Sequence, residues 1–446
     1  MRRWMTMGLI VCAAMASTAR GEVRLTVYNN DLALVKETRT LDYQRGVFDL
    51  EFTDVAAAID PTSVAFTAVD HPNAVTLLEQ DYRYDLVSVD KILQKYIDQQ
   101  VQLITKQEKV HDGVLLAADP SAYTLRRPDG GLTLVNRAEV ADLSLAELPK
   151  DLITRPTLVW KLQSDVDGSV RSEVRYLTKQ IGWHAEYIAT INAAEDGLEL
   201  AGWVSIDNRS GATYADARIK LVAGDVNLVQ DQYKPRPEMM AMSRAASDFQ
   251  QEQFFEYHLY TLDRPSTVRD NEIKQLSLFE PATVNAKKVY TYEGARYGDN
   301  VRVTMEFVNS ESAGLGMPLP KGKVRAMKAS SDGSLEFVGE DLIDHTPKDE
   351  EVRVYLGNAF DIIGERTVVN QRRIADRVVE IDISVNLRNH KDTDISVLVV
   401  EHFWGDWSIS SESHKFEKKD ANTAEWRLPV TANGETTLTF TVRQRS

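Results

Sequence analysis

The densest group of chemically useful side chains in this 446-residue sequence is the run Glu401, His402, Phe403, Trp404, Gly405, Asp406, Trp407. Trp404 and Trp407 are three apart, so an unbroken strand sends them to opposite faces. A turn at Gly405 and Asp406 changes that and exposes one indole. An exposed indole stacks on a sugar face, and Asp406 can accept hydrogen bonds from the sugar hydroxyls. Trp404, Trp407 and Asp406 are therefore the candidate ligand-binding residues. The competing reading is a sandwich-core tryptophan beside an edge turn. Glu401 with Asp406 also resembles, weakly, the two acids that a glycoside hydrolase uses.

A second group is Glu340, Asp341, Asp344 and His345. Carboxylates beside a histidine can bind a metal or transfer protons. Asp341 and Asp344 point opposite ways on an extended strand, however, and Pro347 and Lys348 signal a turn soon after. Turn capping and solvated charge are the preferred reading. His184, after Trp183, reads as a strand-end histidine bonded to its neighbours. There is no Gly-x-Ser-x-Gly elbow, no phosphate loop and no His-Glu-x-x-His. No catalytic residue, metal ligand or cofactor is expected from these motifs.

The only cysteine, Cys12, lies in a segment with the character of a secretory leader. Arg2 and Arg3 start it, an apolar stretch from Trp4 to Ala16 follows, and small residues around Ala19 and Gly21 offer cleavage sites. That stretch is shorter than the roughly 20 residues a membrane-spanning helix needs. Residues after Arg3 do not follow the twin-arginine signature. Val11 is too large for a lipobox ending at Cys12. The expectation is an exported protein, periplasmic or at the cell surface, with no lipid anchor, no later transmembrane segment, no cysteine and no disulfide after cleavage. The net charge of −15 is spread along the chain. That disfavours nucleic acid and anionic lipid as partners.

Candidate sites must sit on a scaffold, and the scaffold pattern is alternation. Residues 380–388, 437–442, 352–356 and 301–305 place apolar side chains at every second position. Turn signals separate such runs: Asp332-Gly333, Asn433-Gly434 and Asp196-Gly197. The one helix expected starts at Ser88, with Val89, Ile92, Leu93, Tyr96 and Ile97 on one face. It leads into five short apolar runs that read as an inserted SH3- or Sm-like barrel. Residues 229–252 read as a mobile loop; a tolerated surface insertion is the preferred reading, and the alternative is a partner-binding lid using Met239, Met240, Met242 and Phe249. No internal repeat stands out.

The expected fold is mainly β: antiparallel β-sandwiches, a small inserted barrel and little helix. The chain exceeds the size of one core, and the divisions expected are as follows. Residues 1–21 form the leader, 22–90 with 149–228 a first sandwich, and 91–148 the barrel. Residues 253–365 form a second β domain, and 366–446 an immunoglobulin- or fibronectin-like sandwich.

Several ordered motifs carry a family resemblance. They are residues 28–34, Gly202 to Gly211, Leu221 to Asn227, Glu256 to Tyr260, Gly339 to Pro347, Gly357 to Asp361 and Leu387 to Asp392. Together they resemble secreted bacterial proteins carrying domain of unknown function 4139, some of them termed mucoidy-inhibitor-like. The resemblance implies a β-rich envelope protein and transfers no catalytic residue. The function expected is a non-catalytic scaffold that binds an envelope protein or glycan. The alternative is a glycan hydrolase working through paired acids among Glu401, Asp406, Glu340 and Asp344.

Overall fold

The computed structural model describes residues 21–84, 89–146, 155–224, 226, 249–254 and 257–445. The leader, Ser88 and the stretch 227–248, which holds Met239, Met240 and Met242, lie outside the described residues. Phe249 begins a strand, Phe249–Phe254, that pairs antiparallel with Tyr257–Leu262.

The chain is mainly β, built from several sheets that are largely antiparallel. Alternation becomes burial directly. In the strand Ile181–Ile191 every second residue from Ile181 to Ile191 is buried, while Gly182, His184, Glu186, Ile188 and Thr190 between them face outward. The four runs singled out by alternation lie in Val378–Asn389, Glu435–Arg445, Glu351–Ala375 and Asn300–Val308. Among the described residues three pairings are parallel: Val23–Tyr28 with Tyr214–Ala223, Ile181–Ile191 with Gly322–Ala329, and Tyr290 to Tyr292 with Val397 to Val399. Each joins segments far apart in sequence, where no tight hairpin fixes the direction.

The expected inserted barrel is an open five-stranded sheet. Val140–Leu145 pairs with Gln100–Thr105, and Val110–Ala118, Ala122–Arg126 and Leu132–Asn136 follow in order. The two edge strands of this sheet do not pair with each other; the turn Arg137–Glu139 carries the chain from one to the other. Asn136 caps that turn by accepting the Ala138 N–H at 2.9 Å. The helix Val89–Lys95 and the residues after it supply Leu93 and Tyr96 to this unit's core.

Among the described residues buried side chains gather in three clusters, one of them this insert. The largest takes residues from Leu25 to Ala223 and from Tyr260 to Val354, so strands of the two units expected at 22–90 with 149–228 and at 253–365 share it. The third is the C-terminal sandwich, where Trp426 stacks on Phe440 with centroids 4.7 Å apart.

The two larger clusters are joined by sheet rather than by a linker. The strand Glu272–Tyr292 contributes Leu276 and Val284 to the first cluster and Tyr290 and Tyr292 to the second. Glu351–Ala375 does the same with Val354 and Ile362, and Asn300–Val308 with Met305 and Val301.

A repeated device, unseen in the sequence, closes strand ends. Asn208, Asn309 and Asn389 are all buried at or just after a strand's last residue. Each side-chain amide donates to carbonyls of two crossing segments. Asn208 donates to Ala212 and Arg269, Asn309 to Met317 and Pro347, and Asn389 to Thr393 and Thr431, at 2.7 to 3.0 Å. Each Oδ1 accepts a backbone N–H, from Ser210, Gly316 and Lys391 respectively. A buried amide so satisfied fixes loop geometry, because breaking it strands several backbone groups.

Candidate functional site: a basic cleft where two cores meet

The aromatic group divides. Trp404 is 56% exposed, whereas Trp407 is 6% exposed. The Trp407 indole packs 4.9 Å from Phe403 and donates its N–H to the Ala421 carbonyl at 2.7 Å. The Lys418 ammonium covers its ring at 4.5 Å. Trp407 is thus the core tryptophan of the competing reading, and only Trp404 and the exposed Asp406 remain available to a ligand. Gly405, at φ 66, makes the expected turn between the two indoles.

The acids behave similarly. Glu401 is buried and accepts hydrogen bonds from Arg366 Nε and Nη2, at 2.7 and 3.0 Å. Burial works against the Arg366 charge, but the Glu401 hydrogen bond and charge outweigh it and raise the guanidinium pKa above its ordinary value. His402 lies 3.3 Å from the mostly buried Glu293. Glu340 pairs with Lys323 and Arg325 on an exposed sheet face. Asp341 accepts the Tyr355 N–H at 2.7 Å, Asp344 lies beyond its strand, and His345 Nδ1 accepts the Lys321 N–H at 3.1 Å. His184 is an exposed strand residue 3.9 Å from Glu186. Among the described residues no three His, Cys, Asp or Glu are grouped to hold a metal ion, and no helix is long and apolar enough to cross a membrane.

What the sequence did not reveal is a composite cleft at the join of the two large cores. One part, about 220 Å³, has an apolar floor that includes Ile191, Met305 and Leu356. The adjoining part, about 490 Å³, opens toward Thr393, Ser396 and Arg427. Both parts share Glu195, Lys288, Tyr290 and Lys391. None of Glu401, Asp406, Glu340 and Asp344 lines either part.

Local structure aims these side chains. Lys288 and Tyr290 lie two apart on Glu272–Tyr292, so they share a face. The Lys288 and Lys391 ammonium groups sit 5.2 and 5.7 Å from the Tyr290 ring centroid. Both can draw on the ring's negative face. Lys391 is placed by the loop that Asn389 clamps. The opposite wall carries a bulge: Val303 pairs with Gly357 but Thr304 with Tyr355. Gly357 there adopts φ 139, a backbone state open to glycine. Bulges of this kind re-aim side chains near binding sites.

Five cations line the cleft, Lys287, Lys288, Lys328, Lys391 and Arg427, against two carboxylates, Glu195 and Asp394. The excess of three positive charges stands out in a chain of net charge −15. Asp394 is occupied by the Ala432 N–H at 2.8 Å. Glu195 forms ion pairs with both Lys288 and Lys328. Such a cleft attracts anions, and both of its carboxylates already have partners, Glu195 in lysines and Asp394 in a backbone N–H. The motifs at Gly357 to Asp361 and Leu387 to Asp392 contribute Gly357, Asn358, Ala359 and Lys391 to its walls.

Comparison with protein-family models and with curated proteins finds no match for this chain.

Proposed function

We propose that this is an exported, non-catalytic protein of the bacterial cell envelope, related to the domain of unknown function 4139 family. It acts as a β-rich scaffold that binds an envelope protein or glycan. The observation that carries the reading is the division of labour among charged groups. Glu401 is locked to Arg366, Glu340 to surface cations, and Asp341 to backbone. The cleft between the cores is lined instead by cations and apolar side chains. A surface so arranged holds a ligand without supplying the acid and base of glycan cleavage.

Affinity electrophoresis of the purified protein through gels containing fractionated envelope polysaccharides tests this, together with a reducing-end assay on the same mixtures. Retarded migration without new reducing ends is expected. New reducing ends that disappear in Asp406→Asn or Glu340→Gln would establish the hydrolase reading instead.

A further inference from the structure

Glu195 occupies an unusual position. It sits on the turn between the strands Ile181–Ile191 and Gly197–Asn208, with φ 60, a left-handed state uncommon for a side-chain-bearing residue. The turn is stiff. Asn192 Nδ2 donates to Asp196 Oδ1 at 2.7 Å, the Glu195 N–H reaches the Asn192 carbonyl, and the Asp196 carbonyl accepts the Ala286 N–H at 3.0 Å. This turn projects the Glu195 carboxylate into the cleft, where it pairs with Lys288 from one strand and Lys328 from another.

The same carboxylate borders both parts of the cleft, beside Lys391 and Tyr290. Its pairs are partly exposed, with 24–32% of each side chain open to solvent. Such pairs are individually weak and screened by salt. Further out, Lys391 has no acidic partner lining the cleft other than Asp394, which already accepts a backbone N–H, while Lys287 and Arg427 lie within electrostatic reach of Glu306, opposite Lys287 on the neighbouring strand. One internal carboxylate therefore fills one anion position in a row of cations that has room for more.

We propose that the cleft is a binding site for an acidic saccharide, a chain bearing carboxylates at intervals, and that Glu195 is a built-in mimic of one such carboxylate that the ligand displaces. The proposal rests on the binding-module reading given above. Lys288 and Lys328 hold the carboxylate that replaces Glu195, and Lys391 and Arg427 meet the next. The apolar floor accepts the sugar ring between them. A polyanion gains where Glu195 cannot, because it engages several cations at once while Glu195 engages two. Competition by Glu195 weakens binding of any ligand too short to reach the outer cations.

Calorimetric titration tests the idea, with tetragalacturonic acid, maltotetraose as neutral control and inorganic phosphate as free anion. Glu195→Gly removes the carboxylate and suits the left-handed backbone. Glu195→Gln removes only the charge and serves if the glycine variant folds poorly. Tetragalacturonate is expected to bind the parent protein and to bind both Glu195 variants about tenfold more tightly. Binding should weaken in the Lys288→Ala/Lys391→Ala variant, whose thermal melt reports whether it is folded, and with added salt. Equal or weaker binding by both Glu195 variants overturns the mimic. Phosphate binding without tetragalacturonate binding overturns the saccharide assignment. Retention of neutral maltotetraose alone overturns this inference while leaving the binding-module reading intact; loss of all envelope-glycan and envelope-protein binding overturns that reading.

Discussion

Glu401→Gln is the substitution that best separates a structural acid from a working one. Glu401 lies on Ile395–His402 and Arg366 on Glu351–Ala375, so their pair ties two strands of the C-terminal sandwich that do not pair with each other. The Glu401 side chain is 2% exposed and that of Arg366 20%. Removing one partner of a buried ion pair costs about 3–5 kcal/mol, because the other charge is left without compensation. Arg366 retains some solvent contact and glutamine keeps one acceptor, which places the expected loss near the low end, about 3 kcal/mol. Hydrogen exchange of the full chain, followed by mass spectrometry, reads this locally. Peptides spanning 362–368 and 395–402 should exchange roughly 150-fold faster, since 1.4 kcal/mol is a factor of ten. Peptides of the inserted sheet, which has its own core, should not change. Glu401→Met with Arg366→Met should recover much of the protection, since apolar replacement removes both charges together. Unchanged exchange in Glu401→Gln would refute the reasoning. So would a double variant that loses as much as Glu401→Gln and Arg366→Met combined.

Trp407→Ala should lose about 3–5 kcal/mol of stability and lower the melting temperature, whereas Trp404→Ala should stay within about 0.5 kcal/mol. Equal melting temperatures would show that Trp407 is not a core residue. The Tyr292 hydroxyl is buried without a hydrogen-bond partner, and burial first, then Asp299, pushes its pKa to about 12. Tyr292→Phe should therefore be neutral or stabilise by about 1 kcal/mol in urea unfolding, as removal of an unsatisfied buried group does; a loss of stability would mean the hydroxyl has a partner. Burial, reinforced by His345, lowers the His258 pKa below its ordinary value. Above about pH 6.5 neither folded nor unfolded His258 is protonated, so it adds no pH dependence. As pH falls below that value the unfolded chain takes up the proton first, and stability declines until the folded pKa is passed. Glutamine at this position should flatten the fall in melting temperature between pH 6.5 and 5, and an identical slope in parent and variant would count against the burial.

The strands were legible because alternation along a single run is a local property, and burial in the strand Ile181–Ile191 follows it residue by residue. The helix near Val89 and the turn at Gly405 were legible for the same reason. The parallel pairings were not, since the pairing of Val23–Tyr28 with Tyr214–Ala223 joins segments almost two hundred positions apart. The cleft is hidden for a related reason. Glu195, Lys288, Lys328 and Lys391 come from separate segments, and no spacing joins them until the long strands cross between cores. The aromatic group at 401–407 was visible but ambiguous, because an indole that can stack on sugar packs equally well in a sandwich core. A usable signal did exist in the motifs at 357–361 and 387–392, which meet at the cleft wall through a bulge and an asparagine clamp.

The most direct test is a crystal structure of the Glu195→Gly protein soaked with tetragalacturonic acid. The account predicts ligand density in the cleft, with carboxylates within hydrogen-bond distance of Lys288 and Lys391. Ligand ordered against Trp404 and Asp406 instead, or a cleft that stays empty at saturating ligand, would contradict it.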